Sequence, residues 1–290
     1  MRTIMNLLLA GLPMLSTMQT TAQNQTINLM TILTAAGHAP VNGITMYYEI
    51  HGEGNGTPLI LIHGGGSTIE TSFGVLLPLL ATDQKVIAVE LQAHGRTSDR
   101  NAPESFEQDA DDVAGLLTSL KVAKANIVGF SNGGTTTLQI AMRHPQLVNK
   151  MVVMAGAYKR DGFMTGFFDF MKTAAFETMP QPLKDAYLKV TPNQAGLLNM
   201  FNKDKQRMID FKDISDDALR AIKAPALFMV ADKDVISVEH TLAMSRLIDG
   251  SGLVVLPGMH GQFFGEMGSP NDGNKAPQAT AILIGEFLKK

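Results

Sequence analysis

Between Asn126 and Arg143 the chain reads NIVGFSNGGTTTLQIAMR. Asn126 to Phe130 is a short apolar run, Thr135 to Arg143 carries a helical pattern, and Gly129-Phe130-Ser131-Asn132-Gly133-Gly134 forms the join. In G-x-S-x-G the serine occupies a strained turn between strand and helix, and the flanking glycines are needed because a Cβ would collide there. Such a turn pushes the serine hydroxyl out at the top of a sheet. The strand before it and the helix after it supply the context that separates it from an ordinary βα connection.

Outward from this turn, further strand-like runs lie at Ile44 to Ile50, Leu59 to Ile62, Val86 to Val89, Met151 to Met154, Ala226 to Val230 and Leu253 to Leu256. Most are short, continuous and flanked by Gly, Asp or Asn, which predicts strands buried on both faces of a mainly parallel sheet. Amphipathic segments separate them. In Ser105 to Leu120, for example, Phe106, Ala110, Val113, Leu116, Leu117 and Leu120 recur at three and four residues, with Ser105 as N-cap and Gln108 in capping-box register. The repeated order of strand, turn and helix predicts an α/β fold with a doubly wound, mostly parallel sheet.

The rhythm breaks between residues 157 and 223, where no strand pattern occurs and the chain reads as several short helices. Half of the 14 phenylalanines fall there, from Phe163 to Phe211, together with Met164, Met171, Met179, Met200 and Met208. The expected organisation is a core of residues 23–156 and 224–290, with 157–223 inserted as a helical lid whose apolar underside covers the carboxyl edge of the sheet. The phenylalanines serve to anchor the lid, to line a pocket, or both.

The chain has 290 residues, 45% hydrophobic and 18% charged, enough for one large core. A net charge of -3 offers no global attraction to nucleic acid or anionic lipid. With no cysteine, disulfides, thiolate metal sites, a cysteine nucleophile and a lipobox anchor are excluded. Residues 1–22 read as a signal peptide: Arg2 supplies the positive end, Leu7 to Leu15 a short apolar run, and Thr20 and Ala22 the small residues before a cut at Gln23. That run is about half the length a membrane span needs. The expected location is therefore periplasmic or secreted.

A second glycine-rich turn, His63-Gly64-Gly65-Gly66, follows the apolar run Leu59 to Ile62. Glycines after a strand let backbone N–H groups approach an oxyanion. A phosphate loop is disfavoured, because the Gly-Lys-[Ser/Thr] ending is missing. His63 and His94 read as structural residues of their turns, and His38, His51, His144 and His240, in segments without a motif, as solvated.

With these turns, Val86 to Gly95 followed by Arg96-Thr97-Ser98-Asp99, Ala231-Asp232-Lys233-Asp234 and Pro257-Gly258-Met259-His260-Gly261, the sequence resembles the α/β-hydrolase fold superfamily from Val41 to Leu288. The resemblance implies the order Ser131, Asp234, His260 for nucleophile, acid and base, with Asp232 as the second candidate for the acid. It implies an oxyanion hole from the N–H groups of Gly65 and Asn132, and neither metal nor organic cofactor. Glu90, Gln92 with Ala93, and Ala231 depart from the family's usual Asp, Arg-Gly and Gly.

The short lid resembles those of small-molecule esterases, enol-lactonases and carbon–carbon bond hydrolases. The expectation is a serine hydrolase cleaving a carboxylic ester or lactone of a small, partly hydrophobic substrate, without nucleic acid or a stable membrane anchor as partner. Carbon–carbon bond hydrolysis, a cofactorless haloperoxidase reaction on the same triad, and a ligand-binding protein that has kept the fold are the alternatives.

Overall fold

A computed structural model describes residues 33–270 and 273–289. The expected signal peptide lies outside the described residues. Eight strands form one sheet: β1 (Leu33–Val41), β2 (Ile44–His51), β3 (Leu59–Ile62), β4 (Val86–Val89), β5 (Ala125–Phe130), β6 (Val148–Met154), β7 (Ala226–Lys233) and β8 (Gly252–Met259), in the spatial order β1-β2-β4-β3-β5-β6-β7-β8. β1 pairs antiparallel with β2 and β2 with β4; every other pairing is parallel. The doubly wound, mostly parallel sheet is therefore present.

Helices connect the strands: α1 (Ile69–Phe73), α2 (Leu76–Leu80), α3 (Phe106–Ser119), α4 (Asn132–Arg143), α5 (Phe167–Thr173), α6 (Gln181–Val190), α7 (Gln194–Ile209), α8 (Asp216–Arg220), α9 (Val238–Leu247) and α10 (Ala276–Lys289). Alternation along each central strand divides the core. Ile60, Ile62, Ile87, Val89 and Ile127 pack with Val113, Leu116, Leu138 and Met244 from α3, α4 and α9. Leu59, Leu61, Val86, Ala88 and Val128 face Phe73, Leu77 and Ile284 from α1, α2 and α10. Burying each valine, leucine or isoleucine among them contributes roughly 1.5–3 kcal/mol. β3, β4 and β5 are buried along their whole length, which is why they read as unbroken apolar runs.

β1 has no counterpart among the strands expected from the sequence. It is an edge strand, exposed through most of its length and interrupted by Gly37 and Pro40, so it lacks a core strand's pattern. Its hairpin to β2 turns on Asn42 (φ 45°) and Gly43 (φ 85°), an Asn-Gly pair of the kind that favours a two-residue hairpin turn. Ser105 caps α3 by accepting from the Gln108 N–H, but the Gln108 side chain turns to Asp112 instead of closing a capping box.

β3 is flanked by β4 on one side and β5 on the other, so the winding reverses between β3 and β5. Ligands of open α/β sheets bind at the carboxyl ends of strands at such a switch point. Here the loops leaving β3 and β5 are His63 to Gly66 and the turn at Ser131. Between β6 and β7 the chain forms only α5 to α8 and short 3-10 turns, plus one isolated bridge from Phe163 to Ile236.

Candidate active site

Ser131 stands at the join of β5 and α4 with φ 54° and ψ −117°, a conformation costing a non-glycine residue on the order of 1–3 kcal/mol. Its N–H donates to the Met154 carbonyl at 2.8 Å, pinning the turn to β6. A methyl group on Gly129 would strike the Gly133 carbonyl and the Thr137 hydroxyl, and one on Gly133 would strike the carbonyls of Ile62 and His63. Both glycines are thus required by close backbone approach, and the second seats the serine turn directly on the end of β3.

The His260 Nε2 lies 3.0 Å from Ser131 Oγ, and its Nδ1 lies 2.6 Å from Asp234 Oδ1. Asp234 has no exposed side-chain surface, and the N–H groups of Ile236 and Ala231 also donate to its carboxylate. Asp232, the other candidate, is exposed and accepts instead from the Gly258 N–H at 2.7 Å. His260 packs at a tilt against Phe130, with ring centroids 4.6 Å apart, and remains 29% exposed at its side chain. The geometry thus brings Ser131, His260 and Asp234 into one hydrogen-bonded row and leaves Asp232 out of it.

The three glycine amides after β3 have different fates. Gly64 N–H donates to Ser72 Oγ at 3.3 Å and Gly66 N–H to Asp204 Oδ2 at 2.5 Å. Gly65 N–H has no acceptor among the described residues. Neither does Asn132 N–H, which as the first amide of α4 has no intrahelical partner. Ser131, His260, Gly65 and Asn132 all border one cavity of about 310 Å³.

More than half of the cavity's lining comes from the segment between Phe163 and Met208, which carries α5 to α7. Phe163, Phe167, Phe170 and Phe201 line it with Met171, Met179, Leu183, Met208 and Ile236. The other phenylalanines of the segment do not: Phe168 lies under the Arg160 guanidinium at 3.6 Å, Phe211 packs edge-on against Phe106, and Phe176 against Phe201. A wider groove of about 660 Å³ at the opposite end of the strands, lined by Thr57, Lys85, Asn126 and Lys289, holds neither a serine nor a histidine.

Beside the cavity lies a buried cluster whose two acidic and basic anchors in α7 the sequence reading missed. Asp204 accepts from His94 Nε2 at 2.9 Å and forms an ion pair with Arg207, which in turn reaches Asp109 at 2.6 Å. Asn132 Nδ2 approaches the same carboxylate at 3.4 Å. The available signal was register: Asp204 and Arg207 share the buried stripe of α7 with Leu197, Met200 and Met208.

Two adjacent histidines, His63 and His94, with ring centroids 4.8 Å apart, take different charge states here, one neutral and one cationic. His94 Nδ1 meets the Gln92 carbonyl and Nε2 meets Asp204, so both nitrogens donate. Burial, the largest single influence, opposes its charge, but the charge and hydrogen bond of Asp204 together with the charge of Glu104 overcome it and raise the pKa to about 9. His63 Nδ1 meets the Gly64 carbonyl while its Nε2 accepts the Leu91 N–H, which requires the neutral ring. Burial, and then the charge on His94, lower its pKa to about 3. Glu104, buried with both carboxylate oxygens lacking hydrogen-bond partners and 3.8 Å from Arg207, is pushed up to about 8 by burial.

The histidines expected to be solvated separate. His38 is exposed and His144 is half-buried against Asp111, but His51 and His240 are buried. His51 pairs with Glu49 at 2.8 Å, and His240 accepts the Tyr158 N–H, burial lowering it to about 4. The departures in the turns are accommodated: Glu90 binds the Arg96 N–H and guanidinium, Gln92 binds Asp99, and Ala231 sits in ordinary strand backbone. Ala93 alone adopts a glycine-like φ of 62°.

A family model for the alpha/beta hydrolase fold matches residues 57–187. The human protein "Serine hydrolase BPHL" is 31% identical over 237 residues, covering 75% of this chain and 77% of its own. The chain belongs to the α/β-hydrolase family. This hydrolase is also 27% identical over 263 residues to 2-hydroxymuconate semialdehyde hydrolase from Pseudomonas sp. (strain CF600), covering 83% of this chain and 89% of that one. In fold it is similar to the enol-lactonase from Burkholderia xenovorans LB400, with a TM-score of 0.67 at 22% identity over 87% of this chain and all of the other. Among the described residues, no helix of the hydrolase is long and apolar enough to cross a membrane.

Proposed function

We propose that this hydrolase cleaves a carboxylic ester or lactone of a small, partly hydrophobic substrate through an acyl-enzyme on Ser131. The observation carrying the proposal is the row Ser131 Oγ, His260 and Asp234 opening onto an apolar cavity beside two unengaged amides. His260 takes the Ser131 proton as Oγ attacks the carbonyl carbon, then protonates the leaving oxygen. Asp234 holds the Nδ1–H tautomer and stabilises the imidazolium. The N–H groups of Gly65 and Asn132 receive the oxyanion, a single such donor contributing roughly 3–4 kcal/mol to the transition state. Water, activated by the same histidine, then releases the acid.

The segment 157–223 acts as the lid. Phe163, Phe201 and Met208 supply the apolar surface for the acyl or alcohol part of the substrate. The test is a panel of p-nitrophenyl esters of increasing chain length together with several lactones. Turnover of short and medium esters or of lactones is expected. No turnover of any member, at protein concentrations that would reveal a weak esterase, rejects the reading.

Carbon–carbon bond hydrolysis is the second reading. It is favoured by the extended match to a 2-hydroxymuconate semialdehyde hydrolase. A vinylogous keto acid hydrolysed in preference to every ester would select it. Export with removal of residues 1–22 belongs to the same proposal, resting on Arg2 and the apolar run Leu7 to Leu15. Mass spectrometry of the protein recovered from its native host is expected to find Gln23 as the first residue.

A further inference from the structure

Asp204 stands on α7, outside the sheet, yet its carboxylate gathers donors from four separate parts of the chain: Gly66 N–H, His94 Nε2, Arg207 and Asn132 Nδ2. Two of these, Gly66 and Asn132, adjoin the amides that remain unengaged. A side chain on Gly65 would press on Asn132 Nδ2 at 2.6 Å and Asp204 Oδ2 at 3.4 Å, so Asp204 and Asn132 together floor the oxyanion loop. We infer that Asp204 is a positioning residue for the oxyanion hole: by engaging Gly66 and Asn132 it holds the Gly65 and Asn132 amides in place, so that the hole is complete only while α7 is docked. This inference rests on the ester-hydrolase reading above.

The physical case follows from what surrounds the carboxylate. A glycine loop has little conformational preference of its own, and an amide donor must sit within about 2.7–3.1 Å of the developing charge to act. Ser72 holds one end of the loop through Gly64, and Asp204 holds the other through Gly66. A bare carboxylate this close to an oxyanion would repel it. His94 and Arg207 face Asp204 with two positive charges, while Asp109 and Glu104 lie behind Arg207. The carboxylate therefore acts as a fixed acceptor and not as an exposed negative field.

The test compares Asp204→Asn and Asp204→Glu with the native chain in p-nitrophenyl ester hydrolysis, kcat being expressed per site titrated with a fluorophosphonate. Asn weakens the acceptor; Glu keeps the charge for His94 and Arg207 but displaces the oxygens, and carries the test if the Asn variant does not fold. In the folded variants kcat per titrated site is expected to fall at least about tenfold with KM changed less than about threefold. A purely structural role would lower the melting temperature and the titratable fraction, leaving kcat per titrated site unchanged. That result overturns the inference alone. A native chain that is neither labelled nor active overturns the ester-hydrolase reading, and this inference with it.

Discussion

Two Asp–His pairs of nearly the same length adjoin the cavity, 2.6 Å between Asp234 and His260 and 2.9 Å between Asp204 and His94. The second nitrogen of each ring decides what the pair can do. In His260 it faces a hydroxyl that can give up a proton, with part of the ring open to the cavity. In His94 it faces a backbone carbonyl that can only accept, with the ring fully buried. The first pair is built to pass a proton and the second to keep one. An Asp–His contact is therefore not a catalytic signature until the far side of the imidazole is known.

The harshest way to break this contrast is to remove the hydroxyl. Ser131→Ala is expected to cut kcat/KM for an activated aryl ester at least about a thousandfold while the circular dichroism spectrum stays native. A variant that retains its rate would end the assignment. Asp234→Asn should follow with a loss of roughly a hundredfold or more, because the wrong histidine tautomer is then favoured. Asp232→Asn, at a carboxylate that accepts from the Gly258 amide and stands apart from His260, should stay within about threefold of the native rate, and a reversal of these two results would exchange the acids.

His94, whose ring nitrogens face only the Gln92 carbonyl and Asp204, should respond in stability instead. His94→Leu leaves the Asp204 charge facing Arg207 alone and is expected to cost roughly 3 kcal/mol in urea unfolding. An unchanged midpoint would show that the imidazolium contributes nothing. The smallest effect is on pH dependence. His94, held up to about 9, and Glu104, pushed up to about 8, both keep in the folded state a proton that the unfolded chain releases near 6.5 and 4.5. Their stabilisation is complete below those unfolded values and is lost as pH rises through 8 and 9. Melting temperature should fall on the order of 5 °C between pH 6.5 and 9.5, and Glu104→Gln should flatten the part of the fall near pH 8. A flat native profile would contradict the charge states drawn for the cluster.

The two pairs also differ in how far they could be read from the residues. Ser131 and His260 sit in glycine turns whose backbone demands leave a mark in the sequence, and the central strands are unbroken apolar runs because both their faces are covered. Asp204 leaves no such mark. With Arg207 three residues on, it looks like an ordinary surface pair of a helix, and only its alignment with Leu197, Met200 and Met208 betrays burial. Asp234 takes precedence over Asp232 through the resemblance and not through the residues themselves, since the physical choice depends on which carboxylate clears the end of β7 toward the last loop. β1 escaped for a different reason: an edge strand has one neighbour and little core, so its clue lies in the Asn42-Gly43 turn instead of its own residues.

The seating of Gly133 on the carbonyls of Ile62 and His63 has a consequence for how this protein can change. The seat of the reactive oxygen on the end of β3 is set by main chain against main chain, whereas most walls of the cavity are side chains of the segment from Phe163 to Met208. Exchanging Phe163, Phe201 or Met208 while Asp204 keeps its contacts therefore redraws the guest without retuning the machinery that would act on it. A lineage with this architecture can wander among substrates while its reaction stands still.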